Sequence, residues 1–325
     1  MGIKIPKSVV FGSAACTIVG GIYLIKDKIA GTAYEGNEKL TNKVVIVTGA
    51  NTGIGKEVTR DLAKREAKVI MACRDLFKCE KARKEIVLET KNKFVYCRQC
   101  NLASQSSIRA FVDKFKKEND RLDILINNAG VMRCPKGVTT DGIETQLGVN
   151  HMGHFLLTNL LLDTLKASAP SRIVVVSSAA HRKGKIKTDD FNSENSYDGA
   201  EAYAQSKLAN VLFTKELAKK LAGTGVTVNA VHPGIVDTEI TRHMSYSKST
   251  TATVMVKPFF WLFIKTPKQG AQAVLNAALN PELQNVTGKY LSEFKIVEEE
   301  EETDEVKNNK LAEWLWITST KWTKL

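Results

Sequence analysis

The chain has 325 residues, 43% apolar and 25% charged, an ordinary globular balance with length for one large α/β core or two small ones. Its six cysteines (Cys16, Cys73, Cys79, Cys97, Cys100, Cys134) are too sparse for a disulfide scaffold, and the Cys97–Cys100 spacing falls in a predicted strand, so reduced thiols without metal are expected. The net charge of +12 divides into 42 Lys/Arg against 26 Asp/Glu over residues 1–292 and 5 against 9 over 293–325. No recognition helix or RNA-binding signature accompanies it, so nucleic acid is not expected, and an anionic cofactor, a membrane surface or a plain solvated surface are left.

Ser8 to Ile25 runs 18 residues without a charge, between Lys4 and Lys7 on one side and Lys26, Asp27 and Lys28 on the other. As a helix it would be about 27 Å long, enough for the hydrocarbon core of a bilayer. A cleaved leader usually has a shorter apolar region, and Lys26 to Ile29 is a poor cleavage site. Residues 1–30 therefore read as a retained N-terminal membrane anchor, with Gly12, Cys16 and Gly20 forming a small-residue face. Basic flanks on both sides leave its orientation open. Residues 31–42 are polar and read as a tether.

Beyond the tether, short apolar strands alternate with helices. Strands are predicted at Val44–Thr48, Lys68–Cys73, Phe94–Cys100, Ile124–Asn127, Arg172–Ser177 and Thr227–His232. Helical periodicity fills Ile54–Ala67, Asp75–Lys91, Gln105–Glu118, Gly148–Ser168 and Ala200–Leu221. That alternation implies a parallel sheet covered on both faces, here assigned to one domain over residues 43–292. Residues 293–325 read as an acidic C-terminal tail, with Glu298–Glu302, Asp304 and Glu305 solvated and mobile.

The turn Thr48-Gly49-Ala50-Asn51-Thr52-Gly53-Ile54-Gly55 follows the first strand and opens a helix, the context that makes a glycine pattern a dinucleotide site. Glycine permits the tight turn, and the helix N-terminus offers N–H groups to a pyrophosphate. The second strand ends Ala72-Cys73-Arg74 where an acidic residue would select NAD. The Arg74 guanidinium suits a 2′-phosphate, so NADP(H) is expected, with Lys56 assisting and the Asp75 side chain pointing elsewhere.

Tyr203 and Lys207 are one helical turn apart. A tyrosine has an ordinary pKa near 10, and a nearby ammonium is expected to lower it. Tyr203 then becomes a general acid/base for an alcohol–carbonyl pair, with Ser178 at the end of a strand donating to the substrate oxygen.

At this point the chain resembles the short-chain dehydrogenase/reductase family. The motifs Thr48-Gly-x-x-x-Gly53-x-Gly55, Asn127-Asn128-Ala129-Gly130, Asn150, Ser178, Tyr203-x-x-x-Lys207 and His232-Pro233-Gly234 occur in order over about residues 41–292. The resemblance implies a doubly wound Rossmann sheet of order 3-2-1-4-5-6-7. It further implies Tyr203 as acid/base, Ser178 polarising the carbonyl, Asn150 holding a relay water and Lys207 on the nicotinamide ribose. Gly49, Asn51, Thr52, Gly53, Ile54 and Gly55 would cradle the cofactor, with Asn128, Ala129 and Gly130 at the adenosine and Pro233, Gly234 and Thr238 at the nicotinamide end. Asn101-Leu102 stands where the adenine contact is usually Asp-Leu, a departure that keeps the acceptor oxygen.

Ala72-Cys73-Arg74-Asp75 and Gly148 to Thr158 look like the retinol dehydrogenase subgroup. That resemblance implies a membrane-bound, NADPH-preferring reductase of retinal or another hydrophobic aldehyde, in the endoplasmic reticulum or the mitochondrial inner membrane, with a homo-oligomer open. Fatty aldehydes and steroids are alternative substrates, and a catalytically idle nucleotide-binding scaffold is the rival from another class. His151 and His154 are read as packing at a helix start rather than metal ligands. His181, three residues after Ser178, lacks the Gly-x-Ser-x-Gly elbow of a hydrolase. Lys257 to Ile264 is a strongly apolar stretch, read either as a substrate cover or as buried core.

Overall fold

Val44–Thr48 (β1) is buried along its whole length, as a strand must be when helices cover both of its faces. The computed structural model describes Gly21, Lys26 and residues 31–243 and 264–325. The expected anchor and the apolar Lys257–Ile264 stretch therefore lie, but for Gly21, Lys26 and Ile264, outside the described residues. No helix among the described residues is long and apolar enough to cross a membrane.

From β1 the chain runs through α1 (Gly53–Lys64), β2 (Lys68–Cys73), α2 (Leu76–Thr90), β3 (Val95–Gln99), α3 (Gln105–Glu118) and β4 (Ile124–Asn127). It continues through α4 (Gly153–Ala167), β5 (Ser171–Val176), α5 (Gly199–Lys220), β6 (Val226–His232), α6 (Pro267–Leu279), β7 (Tyr290–Ser292), β8 (Lys295–Ile296) and α7 (Asn309–Thr323). The sheet order is β3-β2-β1-β4-β5-β6-β7-β8. The first seven follow the expected order, and the antiparallel β8 beside β7 corrects it by one strand.

Period-two alternation sorts the strand residues between two cores. Val45 and Val47 join Val58 and Leu62 of α1, Ile86 of α2 and Val274 of α6. Val44 and Ile46 join Phe111 and Phe115 of α3, Leu157 and Leu161 of α4 and Phe213 of α5. Each fully buried aliphatic contributes on the order of 2 kcal/mol.

Three expectations need correction. The helix expected over 148–168 opens with a π-helical segment, Gly148–Met152, before α4 begins. The acidic tail is folded onto the domain. Glu299–Glu301 forms one 3-10 turn, Lys215 Nζ holds Glu302 at 2.7 Å, and α7 buries Ala312, Leu315, Ser319 and Thr323. Trp316 meets Phe155 and Phe213 at 5.0 and 6.0 Å between ring centres, so aromatic packing fixes that helix to α4 and α5. Finally, Cys79 of α2 and Cys97 of β3 form a disulfide, while Cys73, Cys100 and Cys134 are free thiols. The tether is also held down: Tyr34 N donates to Gln272 Oε1 at 3.0 Å, and Arg65 pairs with Glu38 at 3.1 Å.

Candidate active site

The chain leaves β3 to form β4 on the opposite side of β1, and this reversal opens a crevice beyond the carboxyl ends of the strands. A cavity of about 420 Å3 occupies it. Gly49, Asn51, Thr52, Gly53, Ile54, Arg74, Asn101, Leu102, Asn128, Ala129, Gly130, Ser178, Tyr203, Pro233, Gly234 and Thr238 all line it. Of the other expected site residues, Gly55, Asn150 and Lys207 are buried and do not line it.

The glycines are set by geometry. Gly49 and Gly53 have φ of 64° and 56°, in the left-handed region that disfavours a side chain. A Cβ at Gly55 would lie 2.4 Å from Gly49 O, so the turn closes only on glycine there. Thr52 caps α1 without a side-chain hydrogen bond, and no acidic residue sits in the first turn. The helix thus keeps N–H groups free at its positive end, which fits a pyrophosphate. Thr48 Oγ1 accepts from Asn128 N and Ala129 N at 2.9 and 3.0 Å and shares a 2.9 Å bond with His154 Nε2, which locks the turn to the end of β4.

At the end of β2, Arg74 is exposed, and Asp75 also lines the cavity, which corrects the expectation that it points elsewhere, while its carboxylate accepts from Lys78 N at 3.0 Å as the N-cap of α2. Lys56 pairs with Glu85 and does not line the cavity, which corrects its expected assistance to Arg74. Lys78 lines it instead. Neither Arg74 nor Lys78 forms an ion pair among the described residues. Lys78 was missed because the signal is structural: the capping of α2 by Asp75 directs its first turn at the cavity. Asn101 Oδ1 accepts from Ala103 N at 3.1 Å, so this oxygen already shapes the loop after β3.

At the other end stand the four residues expected to carry chemistry. Tyr203 and Lys207 share one buried face of α5, and Lys207 Nζ donates to Val176 O at 3.0 Å. The Tyr203 phenol faces the Ser178 hydroxyl, whose Oγ accepts from Ala180 N at 3.2 Å. Asn150 lies in the π-helical turn. Its Nδ2 donates to Val131 O and to Ser206 Oγ, both at 2.9 Å, and its Oδ1 accepts from Val131 N at 2.8 Å. It thereby clamps the loop after β4 to α5. A Cβ on Gly130 would come 3.3 Å from Asn150 Oδ1 and 3.6 Å from Lys207 Nζ.

The electrostatics correct the expected Tyr203 acidity. Burial pushes its phenol above the usual value, and the facing Ser178 hydroxyl offsets this only in part. Burial also brings the Lys207 ammonium down to about 8. The structure therefore keeps a protonated phenol at neutral pH, which can donate to a carbonyl oxygen.

Three of the histidines, His151, His154 and His181, are structural. His151 and His154 are fully buried and driven by burial to about 3 and about 4, hence neutral. His154 Nδ1 donates to Asn150 O at 3.0 Å, and His151 Nε2 meets Ser319 Oγ at 2.9 Å. His181 Nδ1 donates to the Ser178 carbonyl at 2.7 Å, not to its hydroxyl, so the pair is no hydrolase dyad. Burial pushes the Cys73 and Cys100 thiols up to about 12, leaving them unreactive.

A switch-point crevice with a glycine turn at one end and a Ser–Tyr–Lys cluster at the other defines a nicotinamide-dinucleotide oxidoreductase. Residues 43–248 match the short chain dehydrogenase family model, and the chain belongs to that family. It is 51% identical over 310 residues to retinol dehydrogenase 13 of Mus musculus, covering 95% of this chain and 92% of that protein. Retinol dehydrogenase 12 of Homo sapiens is 51% identical over 295 residues, covering 91% of this chain and 90% of its own. Among solved structures, an uncharacterized protein from Mycobacterium Paratuberculosis aligns with a TM-score of 0.70 and 33% identity, over 90% of this chain and 98% of that one. The Pseudomonas aeruginosa RhlG/NADP active-site complex aligns with a TM-score of 0.62 over 78% and 95% of the two chains, but at 24% identity that likeness shows the fold alone.

Proposed function

We propose that the chain reduces hydrophobic aldehydes with NADPH, retinal foremost, and that residues 1–30 tie its catalytic domain to a membrane of the endoplasmic reticulum or mitochondrion. The observation that carries this reading is one cavity lined by Arg74 and Lys78 as well as by Tyr203 and Ser178. β2 and β5 are three places apart in the sheet, so these groups are separated by roughly 14 Å at the usual strand spacing. That separation suits an extended dinucleotide with its 2′-phosphate on the two cations. The retinol dehydrogenase relatives supply the substrate class.

A bound nicotinamide would supply the hydride. The protein's own part is proton delivery and orientation. Tyr203 passes its phenol proton to the carbonyl oxygen, which Ser178 holds by its hydroxyl. Lys207 restores positive potential beneath the phenol, and Asn150 keeps α5 in register with the loop after β4. Asn51, Thr52 and Ile54 line the phosphate side, Asn101, Leu102 and Asn128 to Gly130 the adenosine, and Pro233, Gly234 and Thr238 the nicotinamide.

The test uses full-length protein in phospholipid vesicles, with NADPH or NADH against retinal, a long-chain aldehyde, a ketosteroid and a short water-soluble aldehyde. NADPH with retinal should give the highest kcat/KM. Preference for the ketosteroid or the soluble aldehyde would reject the substrate class, and preference for NADH would reject the cofactor.

A further inference from the structure

Ser319 and His151 are 168 residues apart, yet they share a 2.9 Å hydrogen bond with no solvent exposure at either side chain. Ser319 belongs to α7, which lies beyond the residues matched by the family model. His151 follows Asn150 within the π-helical turn. Its ring is wedged against Phe155 and Phe213, with centres 6.0 and 5.9 Å away.

The other side of the ring faces the Asn210 amide. Neither His151 Nδ1 nor Asn210 Oδ1 has a conventional hydrogen-bond partner among the described residues. Because the ring is neutral, one arrangement suits every group: Ser319 donates to Nε2, and the Nδ1 hydrogen faces Asn210 Oδ1. Asn210 Nδ2 in turn reaches Val176 O at 3.4 Å, the carbonyl that also takes the Lys207 ammonium.

A π-helical turn carries one residue more than an α-helical turn and survives where outside contacts hold it. Relaxation to α-helix would swing Asn150 by about 100° and pull it from Val131 and Ser206.

We propose that Ser319 is a positioning residue: through His151 it holds the turn that aims Asn150, and through Asn210 it steadies the carbonyl that holds Lys207. The C-terminal helix is thus part of the machinery for hydride transfer, an inference resting on the roles given above to Asn150, Tyr203 and Lys207.

The test compares full-length wild type, S319A, S319T and Y203F, all titrated with NADPH and assayed with a saturating hydrophobic aldehyde well below each melting temperature. S319A should lower kcat about tenfold, the value of one buried hydrogen bond, with the NADPH Kd within twofold. S319T, which keeps the hydroxyl, should recover most of that loss. If S319A does not fold, S319C preserves the packing with a weak donor and should show the same drop. A kcat within twofold of wild type in S319A or S319C overturns the proposal, and so does a loss that threonine fails to recover. Y203F separates the two levels. If it stays active, the site reading itself fails; if it is silent while S319A is normal, only the role of Ser319 falls.

Discussion

Lys207 Nζ lies 5.8 Å from the centre of the Tyr203 ring, and burial drives the two groups in opposite directions. The phenol is held above its usual pKa while the ammonium is lowered to about 8. Each buried group therefore tends toward its neutral form, and the phenol holds its proton at neutral pH, where it can serve as the general acid.

Tyr203→Phe removes the proton and little volume. Turnover should fall by about 10²–10⁴-fold, the usual worth of a general acid. The NADPH Kd, followed by fluorescence titration, should stay within about threefold. Near-normal turnover would exclude Tyr203 as the acid and revive the idle-scaffold reading.

Lys207→Met should stabilise the protein while abolishing activity. Below pH 8 the ammonium is charged in both folded and unfolded chains, so the folded state carries the full burial cost. With a folded value of about 8 against an ordinary 10.5, that cost is about 3 kcal/mol. Between pH 8 and 10.5 the folded protein loses the proton first, and the cost fades. Loss of the bond to Val176 O offsets about 1 kcal/mol. The variant should therefore melt a few degrees above wild type at pH 7, with the gap closing by pH 10. A variant that melts lower at pH 7 would show that the ammonium is net stabilising.

The parts of this site that were legible in sequence are those whose chemistry is local. Gly49, Gly53 and Gly55 sit in one turn, and Tyr203 and Lys207 are one helical repeat apart, so spacing alone aligns them. Depth is not local, and Tyr203 shows it: the sequence displays its cationic neighbour but not the burial that holds its phenol above the usual value. The Cys79–Cys97 bond depends on how α2 lies over β3, a register that spacing does not encode. The π-helical turn hides because one extra residue scarcely disturbs an apolar period. Ala312, Leu315, Ser319 and Thr323 do form a helical stripe, but two of the four are hydroxyl residues and an acidic run precedes them. Their burial follows from partners on α4 and α5 that no local window contains.

Arg74→Asp should raise the KM for NADPH roughly 100-fold and leave NADH unchanged or improved. A charge-assisted bond to phosphate is worth about 1.5–3 kcal/mol, and the carboxylate adds repulsion. Lys78→Ala should cost NADPH about tenfold, because its first-turn position on α2 faces the same cavity. Asp75 also lines this cavity, with its carboxylate engaged by Lys78 N at the cap of α2. Parallel kcat/KM measurements with both cofactors decide this. Equal changes for NADPH and NADH would mean that the two cations do not read the 2′-phosphate.

Leu315→Ala tests whether the last helix belongs to the core. The side chain is 1% exposed and sits among Leu208, Leu212 and other buried apolar residues. Truncation should destabilise the protein by about 2–5 kcal/mol, read as a lower denaturant midpoint. The acidic segment offers the contrast. Glu299 and Glu300 are exposed, and their joint replacement by Gln should shift stability by less than about 1 kcal/mol. The Glu302 side chain, by contrast, is nearly buried beside Lys215, so Glu302→Gln should cost more than that surface pair. If Leu315→Ala unfolds at the wild-type midpoint, α7 is a loosely attached appendage, and the segment after β8 is a tail after all.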